Sequence, residues 1–102
     1  MGFGASKSVK EMFMLNGKKA IVTGSGGGIG STIAYGFAEL GVDNALLDLN
    51  LDSIKKLKTE LEKRFPVKAL AVPMDVCNPK QVEDAVNTVI NTFGRVDILV
   101  NC

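Results

Sequence analysis

The chain of 102 residues has no histidine and no tryptophan. Without histidine it lacks the commonest metal ligand and the side chain that titrates nearest neutral pH. Cysteine is scarce too: Cys77 and Cys102 are too few and too far apart to frame a disulfide scaffold or a metal site. No apolar segment near the start reads as a secretory signal, so a reducing compartment, the cytoplasm, is the expectation. The net charge of +1 offers no basic field for nucleic acid and no acidic tail for a basic partner. No apolar run approaches the roughly 20 residues needed to cross a bilayer, so no membrane is expected. What remains is 46% hydrophobic and 23% charged, ordinary for a globular domain with one modest core.

The ends of the chain say little. Met1-Gly2-Phe3-Gly4-Ala5-Ser6 fits the loose form of an N-myristoylation signal, with Lys7 and Lys10 nearby. The bulky Phe3 beside Gly2, and the marginal hold of a single acyl chain, favour a loose arm over residues 1–14 instead.

From Leu15 onward the pattern is regular. Leu15-Asn16-Gly17-Lys18 reads as a turn, and the apolar run from Lys19 to Thr23 as a buried parallel strand. Ile29, Ile33, Phe37 and Leu40 recur at helical spacing and predict the inward face of a helix from about Gly28 to Leu40, with Gly41 as its C-terminal cap. Asn44 to Asp48 predicts a second strand. Asn50 caps a second helix whose stripe is Ile54, Leu57, Leu61 and Phe65, stopped by Pro66. Ala69 to Val72 predicts a third strand. Asn78-Pro79-Lys80-Gln81 combines a cap, a proline at the first helical position and a capping-box glutamine. The third helix turns Val82, Val86, Val89, Ile90 and Phe93 inward and ends at Gly94. Ile98-Leu99-Val100 is a fourth strand. The order β-α-β-α-β-α-β specifies an α/β fold: a parallel sheet with helices on its faces, the first half of a doubly wound, Rossmann-type domain over residues 15–102.

Glycine is where the sequence is rich. Five of its glycines crowd into Thr23-Gly24-Ser25-Gly26-Gly27-Gly28-Ile29-Gly30, between a strand and a helix. That layout lets a ligand approach bare backbone and offers a diphosphate the unpaired N–H groups of a first helical turn. The NTPase phosphate loop is excluded because Gly30-Ser31-Thr32 carries no lysine, and G-x-G-x-x-G does not occur in any register. Asp48 closes the second strand, eighteen residues beyond Gly30. A carboxylate there suits the two ribose hydroxyls of an adenosine and repels a 2′-phosphate, and Leu49 and Asn50 bring no compensating cation. The charge argument therefore favours NAD over NADP. The alternative is that Asp48 bonds loop N–H groups. Met74-Asp75-Val76 and Asn101 end the third and fourth strands on the same sheet edge, though an aspartate before a cap is commonly local turn chemistry.

Thr23-Gly24-x-x-x-Gly28-Ile29-Gly30, Asp75-Val76 and Gly94-Arg95-Val96-Asp97-Ile98-Leu99-Val100-Asn101 together resemble the short-chain dehydrogenase/reductase family, from about Leu15 to the end. The resemblance implies that Gly24 to Gly30 cradle the diphosphate, with contacts from Ser25 and Ile29. It implies Asp48 on the adenosine ribose, Asp75 and Val76 beside the adenine, and Asn101 supporting the sheet and the nicotinamide side. Cys102 stands where that family usually has a second asparagine, and is read as a small hydrophobe. The resemblance further implies a homo-oligomeric parent enzyme that interconverts a carbonyl and a secondary alcohol. Its catalytic serine and Tyr-x-x-x-Lys would lie beyond this sequence. Tyr35 has Glu39, not lysine, four residues on, so no catalytic residue and no metal ligand is assigned here. Two other classes compete. A stand-alone nucleotide-binding module would leave the fourth strand as a bare edge. An S-adenosylmethionine methyltransferase fragment would share Gly26-x-Gly28-x-Gly30 and a strand-end acid, but not the Thr23, Ile29, Asp75 and Asn101 signals.

Overall fold

A computed structural model describes residues 8–102. The acylation pattern and the first half of the expected arm lie outside the described residues. The rest of that arm holds a short helix, α1 (Val9–Phe13), capped by the Ser8 side chain, which accepts the Glu11 N–H at 3.2 Å.

Four parallel strands follow, in the spatial order β3-β2-β1-β4. They are β1 (Lys19–Thr23), β2 (Asp43–Asp48), β3 (Ala69–Pro73) and β4 (Ile98–Val100). The central pair, β1 and β2, is buried along nearly its whole length, as continuous apolar runs predict for strands covered on both faces. Alternation along β2 sorts its side chains between two cores. Leu46 packs with Ala34, Ala38, Ile54, Leu57 and Leu61 on one face. Ala45 and Leu47 pack with Ile21, Met74, Ala85 and Val89 on the other. Helices α2 (Gly28–Glu39) and α3 (Leu51–Arg64) therefore cover the first face, and α4 (Pro79–Phe93) covers the second.

Most helix boundaries follow local chemistry. Gly41 (φ +88°) and Gly94 (φ +85°) take the left-handed conformation that ends a helix cheaply only in glycine. Asn50 accepts the Ser53 N–H at 3.1 Å, and Asn78 accepts the Lys80 and Gln81 N–H groups at 3.1 and 3.2 Å. The second strand begins one residue earlier than expected, at Asp43, whose carboxylate takes the Lys68 N–H and pairs with Lys19.

The inward face of α2 is a correction. Gly30, Ala34 and Ala38 are its buried residues, whereas Ile33, Phe37 and Leu40 are half-buried and Ile29 is 76% exposed. The reason is steric. A Cβ on Gly30 would overlap the Gly24 carbonyl and come within 2.9 Å of the Ser25 Cα, so the helix rests on its small residues and lies close against the loop it leaves. Ile90 is a second correction: it is 43% exposed, and Ala85 and Val89 carry the burial of α4. Among the described residues no helix is long and apolar enough to cross a membrane.

Candidate functional site

The strand register sets Thr23 beside Leu47, Asp48 beside Pro73, and Val22 beside Val100. The ends of all four strands thus meet on one edge. The chain leaves β1 over one face of the sheet, while β4 reaches the other flank of β1 through α4 on the opposite face. The crevice at such a reversal is where open α/β sheets bind ligands.

The loop after β1 turns at Gly24, whose φ of +64° suits glycine alone. Gly27 then opens α2 with no side-chain cap and no acidic residue in the first turn. The two hydroxyls that could have served face backward: Ser31 and Thr32 both donate to the Gly28 carbonyl, at 3.0 and 2.8 Å. The first intrahelical bond is Ser31 N–H to Gly27 C=O. That leaves the N–H groups of Gly28, Ile29 and Gly30 at the positive end of the helix dipole. A Cβ on Gly28 would meet nothing within 4 Å. The chain's own packing therefore does not require glycine there.

Asp48 lies across the loop. Its Oδ2 accepts the Gly26 N–H at 3.0 Å, and its Oδ1 accepts the Asn50 N–H at 2.9 Å. The carboxylate thus fastens the glycine loop to the start of α3, the local role the sequence left open. It does so with two of about four lone-pair sites, which leaves capacity for two hydroxyl donors. Gly26 is held close to it: an added Cβ would stand 3.1 Å from the Asp48 carboxyl.

Ser25 corrects an expectation. Its side chain is fully buried, and both its hydroxyl and its N–H point to the Leu47 carbonyl at 3.4 Å. It secures the loop to β2 and presents no group to a ligand. Ile29, by contrast, stands exposed at the mouth of α2, along a cavity of about 500 Å³ lined by Gly24, Gly27, Gly28, Ile33 and Asn101.

Asp75 and Val76 sit together after β3. Asp75 Oδ1 accepts the Cys77 N–H at 2.9 Å, a local turn. Its own N–H is taken by Gln81 Oε1 at 2.9 Å. Gln81 therefore holds the β3 loop and does not close a capping box onto Asn78, whose N–H goes to the Asp75 carbonyl. Val76 is 62% exposed and shares a cavity of about 250 Å³ with Gly24, Asp48, Asp75 and Cys77. Asn101 Oδ1 accepts the Thr23 hydroxyl at 3.0 Å, and that hydroxyl accepts the Cys102 N–H at 3.2 Å. Thr23 is thus the knot between the ends of β1 and β4, a role no local motif announces because its partners are 78 and 79 positions away.

Tyr35 faces away from this edge. It packs edge-on to Phe65, with the Arg64 guanidinium 5.5 Å from its ring centre. Glu60 beside its hydroxyl holds the phenol above its ordinary range.

A strand-edge crevice, a glycine loop and an uncapped helix start define a nucleotide-binding half-domain of the doubly wound class. The sequence profile described as short chain dehydrogenase matches residues 18–102. The chain belongs to the short-chain dehydrogenase/reductase family. It is 44% identical over 88 residues to mouse (Mus musculus) 15-hydroxyprostaglandin dehydrogenase [NAD(+)], covering 85% of this chain and 33% of that protein. It is 39% identical over 95 residues to the "Probable NADP-dependent mannitol dehydrogenase" of Yarrowia lipolytica, covering 93% and 34%. The crystal structure of a hydroxysteroid dehydrogenase from Escherichia coli superposes with a TM-score of 0.85 at 34% identity, over 90% of this chain and 39% of that one. The chain spans about a third of the length of these curated relatives. Family membership displaces the methyltransferase reading.

Proposed function

We propose that residues 15–102 hold the adenosine diphosphate half of NAD in a protein that interconverts a carbonyl and a secondary alcohol on a small molecule. The observation that carries this is the open start of α2, set across the loop from Asp48. The N–H groups of Gly28, Ile29 and Gly30 would receive the diphosphate, a helix-end site that contributes about 0.3–1 kcal/mol per charge and up to ~2 when partly buried. The two unused acceptor positions of Asp48 would take the ribose hydroxyls. Val76 and the Asp75 turn would border the adenine, and Asn101, held by Thr23, would brace the nicotinamide side. A bound nicotinamide would supply hydride chemistry to the whole enzyme. These residues position it, and no side chain here is assigned the acid–base step. The two scattered cysteines and the ordinary charge balance support a cytoplasmic enzyme, and the family supports a homo-oligomeric one.

NAD over NADP follows from charge. Two unit charges 4 Å apart repel by about 4 kcal/mol at an effective dielectric of 20, and solvent at the half-buried Asp48 reduces that figure. The Yarrowia relative is named for NADP, so calorimetry decides between the two cofactors. Calorimetry should give NADH an affinity at least about tenfold above that of NADPH. In Asp48→Ala the NADH affinity should fall and the two affinities converge. Tighter NADPH binding by the unsubstituted protein would refute the charge argument.

A further inference from the structure

Among the described residues the buried polar ones are Thr23, Ser25 and Asn44. Thr23 joins β1 to the end of β4, and Ser25 joins the glycine loop to β2. Asn44 serves neither junction. It is fully buried in β2, between Ala20 of β1 and Ala69 of β3 in the register. Its Nδ2 donates to the Ala34 carbonyl of α2 at 3.2 Å and to the Val42 carbonyl at 3.4 Å. Its Oδ1 is buried and accepts no hydrogen bond. A buried acceptor without a partner is destabilising, and leucine, of nearly the same shape, would bring none. Fold stability alone therefore does not account for an amide at this position.

The amide is aimed at the helix that carries the open start. Ala34 lies about one turn after Gly30 on the buried face of α2, and Gly30 sits tight against the Gly24 carbonyl. Alternation along β2 puts Asn44, Leu46 and Asp48 on one face. That face holds the loop through Asp48 and the Gly26 N–H, and the helix through Asn44 and the Ala34 carbonyl. The packing of Leu46 with Ala34 and Ala38 is non-directional and lets a helix slide or turn, whereas a hydrogen bond to one carbonyl does not.

We propose that Asn44 is a positioning residue for the diphosphate site. It fixes the depth and rotation of α2 on the sheet, and so keeps the Gly28, Ile29 and Gly30 N–H groups in place relative to Asp48. This rests on the cofactor reading given above.

The test is Asn44→Leu, with Asn44→Ala beside it should the larger side chain disturb packing. Each is compared with the unsubstituted chain by chemical unfolding, by calorimetry with NADH, and by backbone amide NMR without NADH. Asn44→Leu should unfold at an equal or higher denaturant midpoint and bind NADH about fivefold more weakly. Its Gly28, Ile29 and Gly30 amide resonances should be displaced even without NADH. Asn44→Ala should show the same loss of affinity and the same displacement, at a lower midpoint because of the cavity it leaves. A side chain that only fills the core would give a lower midpoint with the helix-start amides in place and the affinity unchanged. That result in either variant would overturn the proposal. Failure of the unsubstituted chain to bind NADH would refute the cofactor reading by itself. The spectra without NADH would then still decide whether Asn44 sets the helix start, and unmoved Gly28, Ile29 and Gly30 amides would overturn it.

Discussion

Helices α2 and α4 both begin at the carboxyl edge of one sheet, and their starts are built in opposite ways. At α4 the chain satisfies itself. Asn78 takes two N–H groups, Pro79 has none to offer, and Gln81 takes the Asp75 N–H. At α2 nothing of the kind happens. Gly27 has no capping side chain, Ser31 and Thr32 bond backward, and Gly28 has open space beside it. A closed start is an element of folding, and an open start leaves hydrogen-bonding capacity for something outside the chain.

Substitutions can break that contrast. The largest effect belongs to Gly30→Ala. The added methyl would run into the Gly24 carbonyl, and chemical unfolding should show a loss of about 3 kcal/mol. Gly28→Ala should separate stability from binding. Its Cβ is free of contacts, so unfolding should show a stability unchanged or raised by up to about 1 kcal/mol. Its NADH affinity should nevertheless fall about tenfold, and an unchanged affinity would remove the ligand rationale for that glycine. Asn78→Ala should do the reverse, costing about 1 kcal/mol in unfolding with NADH affinity preserved.

The smallest effect is a pH dependence set away from the site. The Lys19 N–H and then the Arg95 guanidinium hold the Asp97 carboxyl below its ordinary 3.8. The Lys58 ammonium and then the Ala69 N–H hold Glu62 below 4.5. Carboxylates with lowered folded-state pKa values stabilise above the unfolded-state values and lose that contribution as pH falls through the folded ones. Stability should therefore be level at neutral pH and decline below those ordinary values. Asp97→Asn/Glu62→Gln should flatten the decline, measured as denaturation midpoints across acid pH.

The succession of strands and helices along the chain and most helix caps were legible in sequence because short-range chemistry sets them. Asn50, Asn78, Gly41 and Gly94 act on neighbours within a turn. The inward face of α2 was not legible. Large apolar residues ordinarily mark the buried stripe, and here close approach to the loop inverted the rule in favour of Gly30, Ala34 and Ala38. Ser25 was expected at the ligand from the family resemblance alone, and its buried hydroxyl instead donates to the Leu47 carbonyl, 22 positions away. Gln81 read as a capping box by spacing, and the loop after β3 brought the Asp75 N–H nearer. The Thr23–Asn101 bond depends on β4 docking beside β1, which no local pattern encodes.

The most direct measurement is an amide NMR titration of the protein with NADH. If the open start of α2 is the diphosphate site, the Gly28, Ile29 and Gly30 N–H resonances shift most, and those of Lys80 and Gln81, already held by Asn78, stay in place. Shifts at Lys80 and Gln81 with α2 unmoved would contradict it.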